Sequence, residues 1–137
     1  ARRTLQFANL AKPASGPAPE LLLDCTLSAS VATSPSLHFN AVSPITAAKA
    51  IAASIGSITK WGAGRVTLAS GDNAFTGGVT LVNGPLHVAV LANGGQPSSL
   101  GASSSAAANL VIQPVYKHSG DNIARLVYTG GAATTDR

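Results

Sequence analysis

Apolar and polar side chains alternate along short runs of this chain, and glycines stand between the runs. From Lys60 onward, Val66 and Leu68 alternate with Arg65 and Thr67, then Val79 and Leu81 with Thr80 and Val82. Leu86, Val88 and Val90 alternate in turn with Pro85, His87 and Ala89. A period of two is the signature of a strand with one buried face. The glycines at 62, 64, 71, 77, 78 and 84 fall between the runs, where the backbone bends and a residue without Cβ bends at least cost. Strand, corner, strand, corner is the rhythm of a coil.

The rest of the chain extends this pattern. Leu5 and Phe7 mark a first short strand, 12–19 a Pro/Ala/Gly/Ser loop, and Leu21 to Ala29 a longer strand with apolar odd positions. Leu37, Phe39 and Ala41 give another strand. Ser43-Pro44-Ile45 has the chemistry of a helix start, with Ile45, Ala48, Ile51, Ala52 and Ile55 at helical spacing, yet the same segment also suits a rung of loosely packed strands. Further on, 94–107 is a Gly/Ser/Ala-rich excursion and Leu110 to Tyr116 a strand interrupted by Pro114. A polar turn over 117–122 then leads into a strand from Ile123 to Tyr128. No long low-complexity linker divides the chain, so a single domain over 1–137 is expected.

The order of residues in 60–88 resembles the autotransporter-associated β-strand repeat of exported bacterial passenger proteins. Its pattern is met by Lys60, Gly62, Gly64, Leu68, Asn73, Phe75, Gly77 with Gly78, Val79, Leu81, Gly84, Leu86 and Val88. Downstream, 94–104, Asn109-Leu110-Val111, Leu126, Tyr128, Gly130 and Thr135-Asp136-Arg137 resemble the segment that often follows this repeat. The likeness therefore spans 58–137. Two positions depart from it: Trp61 stands where a small polar residue is usual, and Pro85 removes a ladder donor, which suits an edge, a bulge or a rung margin. The resemblance implies export to the cell surface and an all-β fold, a right-handed parallel β-helix (β-solenoid). At 20 to 25 residues per turn, roughly five or six rungs would form a rod about 25 to 30 Å long. A first residue other than Met and the position of Arg137 in the pattern read as a segment of a longer exported polypeptide.

Composition fits a thin, repetitive core. Charged residues are 10% and aromatics 4% of the chain, which a solenoid interior of Val, Leu, Ile and Ala tolerates because each rung buries the next. The core candidates are Leu68, Phe75, Val79, Leu81, Leu86 and Val88, and the corner candidates Gly62, Gly64, Gly77, Gly78, Gly84 and Asn73. Asn73 at a corner reads as turn chemistry, or as one member of an amide ladder stacked through successive rungs. Cys25 is in phase with Leu21, Leu23 and Leu27 and reads as a small buried hydrophobe; being single, it forms no intrachain disulfide.

Candidate chemistry is sparse. The formal charge of +4 is scattered along the chain without interleaved aromatics, which argues against nucleic-acid binding. No dinucleotide or P-loop fingerprint occurs, the acidic residues Glu20, Asp24, Asp72, Asp121 and Asp136 lie apart, and His118 with Asp121 is too small a ligand set for a metal. No cofactor is expected. No apolar run reaches the roughly 18 residues of a membrane span, and no signal-peptide pattern is present, so this segment is not expected to insert. Trp61 is the candidate surface contact, for a sugar or protein neighbour, or else a cap over the stems of Lys60 or Arg65. The sequence points to a non-catalytic structural or adhesive passenger segment, with neighbouring rungs of the same or an identical chain, or a host or cell-surface polymer, as partners. The alternatives are a fibre subunit stacking through its open ends and, behind it, a polysaccharide-degrading β-helix fragment.

Overall fold

A computed structural model describes residues 4–30, 33–113 and 123–137. Ten strands follow one another: β1 (Thr4–Asn9), β2 (Leu21–Leu23), β3 (Ser36–Ala41), β4 (Ile45–Ala47), β5 (Ile58–Trp61), β6 (Val66–Leu68), β7 (Val79–Leu81), β8 (Pro85–Val88), β9 (Leu110–Ile112) and β10 (Arg125–Tyr128). Odd strands form one five-stranded sheet and even strands the other, and every pairing is parallel. Each odd–even pair is one turn of a β-solenoid, and five rungs stack.

The middle of the stack has a nearly constant step. In the odd sheet Leu37 lies beside Ile58 and Ile58 beside Val79, 21 residues each time (37 to 58, 58 to 79). In the even sheet Ile45 lies beside Val66 and Val66 beside Leu86, steps of 21 and 20 (45 to 66, 66 to 86). A constant step keeps every inward position above an inward position, because the side-chain period along each strand is two. Leu37, Phe39, Ile45, Ile58, Val66, Leu68, Leu81, Leu86 and Val88 are accordingly all fully buried, and Phe7 stacks on Phe39 with ring centroids 5.8 Å apart.

A narrower third side closes the coil. Leu27 and Ile51 form an isolated parallel bridge, Ala74 N donates to Ile51 O at 2.9 Å, and Ala102 N donates to Phe75 O at 2.8 Å. Ile51, Ile55, Phe75 and Leu100 face inward from this side. The segment 44–55 is therefore a rung rather than a helix: Ile45–Ala47 is strand, and the Ser43 hydroxyl donates to Ala11 O instead of capping.

Two local expectations are corrected, and one with three alternatives is narrowed. Leu21 to Ala29 is not one strand; it breaks after Leu23, because the chain must turn from the even sheet toward the third side before Leu27 pairs. That bend leaves Cys25 exposed. Pro85 is neither at a sheet edge nor at a bulge: it opens the internal strand β8 at the rung margin, between β6 and β10. The strand continuation to Tyr116 and the turn over 117–122, with His118 and Asp121, lie outside the described residues.

Candidate functional site

The densest polar chemistry sits at the corner after β5. Ile58 and Lys60 are in phase, so the lysine enters the solenoid, between Phe39 on β3 and Leu81 on β7. It has no solvent exposure. Its ammonium donates to the carbonyls of Trp61 at 3.0 Å, Gly62 at 2.5 Å and Asn83 at 2.7 Å, so one cation ties its own corner to that of the next rung. Burial lowers its pKa from 10.5 to about 8.

The corner is shaped to admit this group. Gly62 has φ +79°, and a Cβ there would stand 2.2 Å from Ala41 O of the preceding rung. Gly84, at φ +67°, would place a Cβ 2.4 Å from Gly62 O and 2.8 Å from Lys60 Nζ. Gly64 approaches Val42 O in the same way. At the opposite corner the requirement is proximity rather than φ: a Cβ on Gly77 would lie 1.9 Å from Gly56 O, while Gly78 is merely snug, 3.2 Å from Ala108 O.

Asn73 serves the third side. Its Oδ1 accepts from Ile51 N at 2.9 Å, and its Nδ2 donates to Ser99 O at 3.0 Å and Ser70 O at 3.3 Å. The side-chain amide replaces a stretch of backbone ladder between one rung and the next. No stack of asparagines forms, because its neighbours on both sides are main-chain groups. Phe75 and Val79 are buried beside it, Val79 at 1% exposure.

Serines that composition alone assigns to a loop also build this side. Ser98, Ser99 and Ser103 are buried; Ser99 Oγ accepts from Val90 N at 3.0 Å and donates to Ser70 O at 3.1 Å. The closing residues clamp the excursion: Asp136 Oδ1 accepts from Gly94 N at 2.7 Å, and the Arg137 guanidinium donates to Gly101 O at 3.0 Å and Leu100 O at 3.2 Å. In the sequence these residues stand out only through the resemblance, which includes Lys60, 94–104 and Thr135-Asp136-Arg137 without assigning them these contacts.

On the outer face of the odd sheet, Trp61 ends β5 beside Asn40 and is 39% exposed. With Gln6, His38 and Gly62 it lines an open groove. The Lys60 stem lies on the other face, so Trp61 does not cap it. Among the described residues no three His, Cys, Asp or Glu side chains gather as a metal site, and no helix is long and apolar enough to cross a membrane.

A repeat unit with an inward lysine, two positive-φ glycines and a bridging asparagine can be compared with known sequences. Residues 58–86 match the family Passenger-associated-transport-repeat. The chain carries a passenger-associated transport repeat. Over 79 residues, 58% of the chain, it is 44% identical to the adhesin BmaC autotransporter of Brucella suis biovar 1 (strain 1330), of which it spans 2%. No solved structure matches. The matched repeat runs from β5 into β8, the regular middle of the stack.

Proposed function

We propose that this segment is a non-catalytic structural and adhesive length of a passenger protein, one domain whose rungs continue into further rungs. The observation that carries the reading is the pair of open ends. Among the described residues, β1 and β2 have a neighbour on one side only, as have β9 and β10, so each can take a further strand along its outer edge. Apolar side chains from inward columns accompany them: Leu5 is 42% exposed at one end, and Ile112 and Tyr128 are 50% and 36% exposed at the other. Strand addition satisfies both the hydrogen bonds and the apolar surface. In a longer passenger polypeptide the next rung of the same chain would supply that cover.

The same edges support a second reading, in which identical chains stack end to end. The Trp61 groove, with its exposed indole and the Asn40 and His38 side chains, is the contact point we assign to a host or cell-surface polymer.

Sedimentation and electron microscopy of the isolated segment test the proposal. Association into rods through the ends is expected, and Tyr128→Pro, which removes an amide that faces away from β8 on the outer edge of β10, should weaken it while the circular dichroism stays β. A monomer at high concentration that Tyr128→Pro leaves unchanged would mean a self-capped spacer instead.

A further inference from the structure

Lys60 occupies a position that apolar residues fill in every other described rung. Its column through the odd sheet is Phe7, Phe39, Lys60, Leu81 and Ile112. A leucine there would pack between Phe39 and Leu81 without any ion to desolvate, and replacing buried ions by apolar residues is often neutral or stabilising. The lowered pKa shows that the site penalises the charge. Packing alone does not account for a lysine here, and its three carbonyl partners point to what it adds.

The neighbouring strands show what that is. β5 reads Ile-Thr-Lys-Trp, and the aligned residues of β7 and its continuation read Val-Thr-Leu-Val. Sliding β7 by two residues would set Lys60 beside Val79 and Trp61 beside Thr80, keeping apolar residues inside and threonines outside. Hydrophobic patterning alone tolerates that slip. The ammonium cage does not. Two of its carbonyls, Trp61 O and Gly62 O, belong to Lys60's own corner, but Asn83 O belongs to the next rung and would move by about 6.6 Å. Gly84, whose missing Cβ leaves room for the ammonium, would move with it.

We propose that Lys60 is a register pin: its buried ammonium, held by carbonyls of two successive corners, selects the native alignment of β5 with β7 over the two-residue slip.

Paired cysteines read the alignment directly, in a Cys25→Ser background at neutral pH. Thr59→Cys with Thr80→Cys places aligned thiols on the outer face, since Thr59 and Thr80 are register partners. Trp61→Cys with Thr80→Cys reports the slip: in the native register those Cα atoms are roughly 8 Å apart, too far to bridge, whereas the slip brings them to the roughly 4.8 Å of adjacent strands. With Lys60 present, mild oxidation should cross-link the native pair alone. With Lys60→Met, the slipped-to-native ratio should rise at least tenfold, equivalent to about 1.4 kcal/mol of lost discrimination, while the β spectrum and a cooperative melt persist. Lys60→Leu serves as a second variant matching the residue in the next rung. If either folded variant still cross-links only the native pair, the pin is not needed. If both variants unfold, Lys60 is a stability residue and the proposal is equally overturned.

Discussion

The middle rungs and the end rungs of this solenoid are built from the same alternation but differ in what surrounds them. Between β3 and β8 each strand has a parallel neighbour on both sides, successive rungs repeat every 20 or 21 residues, and the inward side chains are almost wholly buried. At the ends the step lengthens. Leu5 to Leu37 takes 32 residues (5 to 37), Val79 to Leu110 31 (79 to 110) and Leu86 to Leu126 40 (86 to 126). Strands of equal hydrophobicity are only half-buried there. In a stacked coil, burial is conferred by the next rung, so the ends are incomplete in a way the middle is not.

The largest effect should come from a void in the middle. Leu81 is fully buried and held between Lys60 and Ile112 in its column. Leu81→Ala should cost about 2 to 5 kcal/mol in denaturant unfolding, whereas Leu5→Ala, at the 42%-exposed position of end strand β1 aligned with buried Leu37, should cost under about 1 kcal/mol. Equal losses would erase the contrast.

Alkali should sharpen it. The Lys60 pKa is about 8 in the folded chain against 10.5 when solvated. Between those values the unfolded chain keeps a proton that the folded chain has released, so stability rises as pH climbs from about 8 to 10.5, by up to about 3 kcal/mol, and levels off above. Lys60→Met should remove that rise, and a wild-type curve that is flat or falling over the same window would mean that the three carbonyls retain the proton.

These two residues also show how far the sequence could be read. Alternation around Val66, Val79 and Leu86, with glycines between, was enough to imply strands stacked as a coil, because a period of two and a sharp corner are both local properties. The pairing partners were less legible: nothing local tells that Val79 meets Leu110 across the serine-rich excursion. Lysine at 60 is in phase with Ile58 and so belongs inside, yet its charge reads as surface until the carbonyls of Trp61, Gly62 and Asn83 converge on it. Asn73 and Ser99 are similar cases. Their types suggest turns, but their partners, Ile51 N for one and Val90 N for the other, come from neighbouring turns of the coil and exist only after folding. Cys25 failed for the opposite reason: its phase with Leu23 was correct only as long as the strand continued, and the strand stops.

Backbone conformation gives the next, smaller contrast. Gly62→Ala forces an L residue to φ +79° and drives a Cβ against Ala41 O, so about 1 to 3 kcal/mol should be lost. Gly131→Ala, where a Cβ would meet nothing within 4 Å, should leave the melting temperature within error.

The smallest effect separates the two faces of one middle strand. Thr80 stands between Leu81 and Val79 but points outward, aligned with Thr59 on β5 and Val111 on β9. Removing its hydroxyl and methyl opens no internal cavity, and Thr80→Ala loses only some β-propensity and cross-strand contact, roughly 0.2 to 1 kcal/mol. That is several-fold less than Leu81→Ala next to it. The ratio of the two losses, measured side by side by urea unfolding with equal m-values, gauges how one-sided the wall is. A ratio near one would require the outer face to be covered as well, as it would be if another chain or a polymer lay along the Trp61 groove, and repeating the pair in a Trp61→Ala background would then restore the difference.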